Sequence, residues 1–221
     1  MNKMVSKDGL MISVPVQPTE GQLFRDELGT GWDSLADNIR KRFDHDPAPG
    51  KPISYCGVMS RVECSLVGKV LAWFVQLTGA LMPLEGSDVP VNIAVWTEPG
   101  SKAVFKRREY QFPGRQPFRF QSRMLRDPNG RLVEHVGGGF GMYILVREVD
   151  RNLHFEDDGY FVEYFGFRIP IPSILGPGRV RLRHEDIAVD AFSITIEITH
   201  RLFGPMYFQQ GLFRHASTLL V

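Results

Sequence analysis

Apolar and polar residues alternate with a period of two over most of the chain between Ile53 and His200. That period puts successive side chains on opposite faces of a strand. It predicts strands at about 53–63, 91–97, 103–112, 118–125, 131–136, 142–149, 160–169, 179–189 and 192–200. A short apolar piece at 153–155 leads into Asp158-Gly159, read as a turn. Pro128-Asn129-Gly130 is a second turn, because Asn and Gly tolerate positive φ. Gly137-Gly138-Gly139-Phe140-Gly141 lacks the Lys-Ser/Thr ending of a phosphate loop, and no clear helix follows it, so it reads as a bulge or hairpin. Pro170, Pro172 and Pro177 are expected to stop sheet pairing.

Two segments carry the helical period instead. Leu23, Phe24 and Leu28, then Trp32, Leu35, Ile39 and Phe43, predict helix over 21–43, interrupted at Gly29 and Gly31. The apolar run Cys64–Met82 predicts a helix at about 65–79, with Leu66, Val70, Trp73, Phe74 and Leu77 along one side. Lys69, Gly68, Thr78 and Gly79 interrupt a run already near the minimum for a bilayer, so it reads as a buried amphipathic helix and no membrane span is expected. Many short strands at hairpin spacing argue for an antiparallel sheet, and such a sheet needs an element to cover its apolar face. The expected fold class is therefore α+β, mainly antiparallel β. It is a curved sheet or partly open barrel wrapped around the helix at about 65–79, with the N-terminal helix at one end. Residues 21–216 are read as a single domain, preceded by an arm (1–20) and followed by a tail (217–221).

The same alternation ranks the charged residues. Phe192, Ile194, Ile196 and Ile198 share a face that His200 continues. Val104, Lys106, Arg108, Tyr110 and Phe112 share another, as do Leu132, Glu134 and Val136. Met142, Ile144 and Val146 lie with Glu148, and Val180 and Leu182 with His184. Arg108, Glu134, Glu148, His184 and His200 thus become candidates for the concave side, with Glu185 beside them as a carboxylate partner for Glu134. Buried charge is costly unless paired, so these residues imply either internal ion pairs or a polar patch in a cavity.

Composition narrows the function classes. The 221 residues are 43% hydrophobic and 23% charged, with a net charge of +1, which leaves no strong field for nucleic acid. Arg outnumbers Lys 19 to 7, and Arg suits bidentate pairing with carboxylate or phosphate. Cys56 and Cys64 alone exclude a disulfide framework and a Cys-only zinc site, which makes a reducing compartment the default. Met1–Val16 lacks the unbroken apolar core of a signal peptide, so a cytoplasmic protein is expected. The six His form no metal-binding pair in sequence, there is no G-x-S-x-G elbow, and no metal or cofactor is expected.

The order of pieces also resembles a known family. Leu28-Gly29-x-x-Trp32-x-x-Leu35-x-x-x-Ile39-Arg40 opens the match, followed by Val89-Pro90-Val91, Arg107-Arg108, Phe118–Ser122 (FRFQS) and Glu134. Ile198-x-His200-x-x-x-Gly204 and Gly211-x-Phe213 close it. This is similar to the bacterial family known as domain of unknown function 4166, over roughly residues 21–216. The chain departs from it at Phe105-Lys106, where the family tends to place a Trp before the Arg. The resemblance implies that Arg108, Glu134, His200 and Gly204 belong to a shared pattern. It also implies a reductase of the saccharopine-dehydrogenase type as a partner, since the family occurs alone or fused to one.

These readings converge on a small amphipathic or anionic ligand held between sheet and helix. Arg108, Glu134, Glu148, His184, Glu185 and His200 are its candidate contacts. Two alternatives stand beside it: an acid–base enzyme using Glu134 or Glu185 with His200, and an interaction module partnered with a reductase.

Overall fold

The computed structural model describes residues 3–5, 11–13, 19–44, 51–75 and 83–216, with backbone only for 3–5, 11–13 and 71–75. A short hairpin, β1 (Lys3–Val5) with β2 (Met11–Ser13), precedes three helical pieces. These are α1 (Glu20–Leu28), α2 (Gly31–Ser34) and α3 (Asp37–Phe43). Thr19 caps α1 by accepting the Gln22 N–H, and Gly29, at φ +54°, ends it. Then come β3 (Ile53–Cys64), α4 (Leu66–Val75), β4 (Val89–Thr97), β5 (Val104–Tyr110), β6 (Phe118–Arg126), β7 (Leu132–Gly137) and β8 (Phe140–Val149). The chain finishes with β9 (Asn152–Tyr164), β10 (Phe167–Ile171), β11 (Arg179–Ala188), β12 (Ala191–His200) and β13 (Gly204–His215).

All pairings are antiparallel. The ladder runs β9–β11–β12–β13–β3–β4–β5–β6–β7–β8 and returns from β8 to β9, closing a ten-stranded barrel, with β10 as an outer strand on β9. The barrel is closed where the sequence reading left it partly open. Asp158-Gly159 is a kink inside the long strand β9, at Gly159 φ +103°, so one strand pairs with β8 throughout, with β11 early and with β10 late. Pro170 sits within β10 without breaking it, because an outer strand has one side free of ladder bonds. Strand β13, absent from the alternation reading, completes the ring between β12 and β3. The Gly-rich stretch is the β7–β8 hairpin, with Gly137, Gly138 and Gly139 all at positive φ.

The larger correction concerns the apolar helix. The sheet does not wrap around α4: Leu66 and Val70 are 80% and 57% exposed, and the helix lies against the start of β13 outside the ring. The Ser65 N–H donates to the Met206 carbonyl, and Gly68 approaches the same carbonyl so closely that a Cβ would meet it at 2.4 Å. Leu77 lies outside the described residues. A closed barrel covers its own inner face with inward side chains, so no helix is needed inside. One end is covered instead by α1–α3, whose Leu23, Phe24, Trp32, Leu35 and Ile39 join the core. Lys106 Nζ meets Glu20 Oε1 at 2.6 Å, and Arg126 donates to the Leu23 carbonyl, which fasten this cap to the rim. The other end carries the β9–β10 and β12–β13 turns and a strap of residues 172–178.

Candidate functional site

Eight strands leave a barrel interior that side chains just fill, and ten leave room. The lumen has two lobes of about 120 and 210 Å³, and both are lined by Arg108, Glu134, Met142, Val180 and Leu182. The lobe under the cap is walled by Phe24, Phe43, Tyr55, Ile144, Phe155 and Phe192. The lobe toward the open end is walled by Tyr110, Phe118, Phe120, Phe140, Tyr160 and Tyr207, with Leu175, Gly176 and Pro177 of the strap across it. Phe118, Phe120, Val136 and Phe140 face inward yet are only half-buried, as an unfilled barrel end requires.

A polar chain crosses the lumen where the lobes meet. Lys106, Arg108 and Tyr110 alternate inward on β5; Phe120 and Ser122 oppose them on β6, and Glu134 follows on β7. Arg108 Nη1 donates to Ser122 Oγ at 3.3 Å, and the Ser122 hydroxyl donates to Glu134 Oε1 at 2.6 Å. Arg108 Nη2 stands 3.9 Å from Glu134 Oε1, and its guanidinium lies 5.3 Å above the Phe120 ring. The direct ion pair is long, so the fork of guanidinium donors is only partly used by protein groups. Deeper toward β13, the Tyr207 and Tyr110 hydroxyls both donate to Gln209 Oε1, at 2.8 and 3.4 Å. Burial pushes both phenols up in pKa, so they stay neutral donors.

The six residues singled out in the sequence occupy different places. Arg108 and Glu134 meet in the lumen. His184 lines the lobe under the cap, between Phe192 and Phe43, and accepts from Arg42 Nη1 at 3.4 Å. Burial first, and Arg42 second, depress its pKa to about 3, so the ring is neutral. Among the described residues, its buried Nδ1 has no hydrogen-bond partner. Glu148 sits at the end of β8, where its carboxylate accepts the Arg151 N–H at 2.6 Å. Glu185 lies on the outer face of β11 and accepts from Ser193 Oγ. His200 is buried at the end of β12, its Nδ1 accepting the Leu202 N–H and its Nε2 donating to the Ile174 carbonyl at 3.2 Å. It ties the strap to the β12–β13 turn, away from Glu134, and the trio proposed for acid–base work is not brought together.

Sequence reasoning missed Ser122, Gln209 and Tyr207. Ser122 was legible in part, since alternation in FRFQS places it on the face of Phe118 and Phe120. Gln209 and Tyr207 were missed with β13 itself. Among the described residues, no cluster of three His, Cys, Asp or Glu is arranged to hold a metal. Cys56 and Cys64 are free thiols eight positions apart on β3, some ~25 Å along the strand, which excludes a bond between them. No described helix is long and apolar enough to cross a membrane.

The fold and its interior define a closed antiparallel barrel with a mainly apolar lumen, a buried polar chain at its middle, and Lys106, Glu20, Arg42 and His184 in the lobe under the cap. A family model described as Domain of unknown function (DUF4166) matches residues 35–213, and the chain belongs to that family. No curated protein and no solved structure matches the chain.

Proposed function

We propose that the barrel is a binding protein for a small amphipathic ligand with an anionic head. The head, a carboxylate by preference, takes the free donors of Arg108, while the apolar part fills the lobe toward the open end. The observation that carries this reading is the incompletely paired Arg108 guanidinium facing a lobe whose wall, Glu134 and Gln209 aside, is aromatic and aliphatic. Arg–carboxylate pairing in a desolvated site is strong and directional, whereas Glu134 alone would repel an anion. The Ser122 bond draws Glu134 toward β6, so Arg108, held by Ser122 through Nη1 and only distantly by Glu134, keeps N–H groups for a ligand. Voids of ~150 Å³ with apolar walls hold benzene-sized groups, so lobes of 120 and 210 Å³ suit a short ring system or an acyl segment.

The test is native mass spectrometry of protein purified from cells, followed by binding of a fluorescent medium-chain fatty acid. Wild type is expected to carry or bind the probe, and Arg108→Ala to bind it on the order of tenfold or more weakly, the loss of one charge-assisted bond. Equal affinity in wild type and Arg108→Ala would sink the reading.

A further inference from the structure

The apolar wall of the lumen does not stop at the barrel mouth. On β10, Phe167, Ile169 and Ile171 share one face, and Ile171 lines the cavity. Phe167 and Ile169 continue that face into solvent, 76% and 60% exposed. Tyr164, the partner of Phe167 across the hairpin, is 65% exposed on the same side, and Phe165 at the tip is 83% exposed. The hairpin projects beyond the mouth and is tied down on its outer face. Arg168 bonds Glu163 at 2.9 Å and the buried Asp127 at 2.8 Å on the outer face, with its guanidinium 4.7 Å above Phe161.

Two further segments present apolar side chains at the same end. Leu175 of the strap lines the cavity yet is 71% exposed, and its neighbour Ile174 is exposed too. Leu202 and Phe203 form the β12–β13 turn, joined to the strap through His200. The start of α4, with exposed Leu66 and Val70, leaves β3 at this end as well. Scattered exposed hydrophobics are ordinary, but a set gathered around a cavity mouth from separate segments marks an interaction surface. Arg201 within the turn and Arg115 in the β5–β6 loop are exposed and belong to none of the described ion pairs.

We propose that this rim docks on the surface of an anionic lipid bilayer, with the β9–β10 tip and the β12–β13 turn entering the headgroup region. The inference rests on the ligand reading above and names where the ligand comes from. An amphipath that fills an apolar lumen is held in water by membranes, and its shortest route into the barrel is a mouth seated on the bilayer. Aromatic side chains beside Arg are the residue types that settle at the membrane interface, and exposed Arg adds attraction to anionic headgroups.

Flotation with vesicles tests it, using phosphatidylcholine alone and phosphatidylcholine mixed with phosphatidylglycerol. Wild type should float with the mixed vesicles and release at high salt. The double variant Phe165→Ser/Phe203→Ser should lose on the order of tenfold or more in bound fraction, with only a small drop in melting temperature from the lost ring contacts with Tyr164 and His200. Val189→Ser, in the turn at the capped end, should float like wild type. Absence of wild-type binding to either vesicle would overturn the proposal, as would binding that the double variant retains. So would a dimer, seen by light scattering, that the double variant disperses while vesicles bind neither form. Arg108→Ala separates this proposal from the one it rests on: it should lose the fatty-acid probe yet still float, whereas the rim variant should keep the probe and stay unbound.

Discussion

His184 shows what one inward position does to the whole protein's pH response. Its ring stacks on Phe192 at 4.7 Å and meets the edge of Phe43 at 5.0 Å, with the Arg42 cation on its Nε2 side. A proton on this ring would be a second buried positive charge, so the folded state refuses it until about pH 3. In the unfolded chain the same imidazole takes a proton near pH ~6.5. The unfolded state therefore binds more protons between those values. The stability of the fold is full above ~6.5 and declines as pH falls, by up to ~1.4 kcal/mol per pH unit from this residue. His135, also held below its ordinary value by burial and by Arg123, adds in the same direction. Asp37, Glu85 and Glu163, each lowered by an Arg or Lys partner, act only further down, where carboxylates protonate. Urea midpoints at about pH 7 and about pH 5 should show the loss in wild type and a flatter profile in His184→Phe, which keeps an aromatic ring between Phe43 and Phe192. Identical slopes would mean that the proton goes elsewhere. The inward placement of His184 was legible, because alternation in Val180, Leu182 and His184 needs no partner strand. The union of Arg108, Ser122 and Glu134 was only half legible. Each lies on the inward face of its own strand, but the register that sets Arg108 opposite Phe120 and Ser122 opposite Lys106 is written in neither strand alone.

At the scale of elements, the strands were legible and the helix was misread for a physical reason. Alternation is a local signal, so the bounds of β4, β6, β7 and β12 fall close to where the pattern put them. Strand β9 was cut in two because Asp-Gly is a strong turn signal, and only the flanking strands hold such a dipeptide in an extended ladder. An apolar helix looks like core filler when the sheet is imagined open. Closure of β8 onto β9 removes that vacancy and leaves α4 outside. If so, the exposed positions of α4 contribute little to folding. Leu66→Ser/Val70→Ser should change the unfolding free energy by no more than ~0.5 kcal/mol, whereas a helix buried inside the sheet would cost several kcal/mol for the same pair. Chemical denaturation with an unchanged m value is the measurement. A large loss would return α4 to the core.

At the scale of the molecule, the boundary of the family match and the boundary of the folding unit differ. The match begins at residue 35, but α1 and α2 both precede it. Leu23 and Phe24 of α1 and Trp32 of α2 are buried against the barrel end, with Phe24 edge-on to Phe155 of β9 at 5.2 Å and to Phe43 at 5.0 Å. Phe24 closes the lumen on the side where Lys106, Arg42 and His184 lie, and Leu23 and Trp32 pack in the same core cluster. Burying a large apolar side chain is worth roughly 1.5–3 kcal/mol, and three of them approach the ~5–15 kcal/mol that holds a whole domain together. Their removal also uncovers Lys106, which would lose Glu20, and the aromatic walls of the lobe under the cap. A chain beginning at residue 35 is therefore expected to lose cooperative unfolding, while one beginning at residue 19 keeps it. Thermal melts followed by near-ultraviolet circular dichroism decide the matter, since that signal reports fixed aromatic packing. A sharp, native-like transition in the shorter chain would show that the ten-stranded ring stands without its cap. The lumen would then be a passage open at both ends, and the polar chain at Arg108 would have to hold a ligand without a floor beneath it.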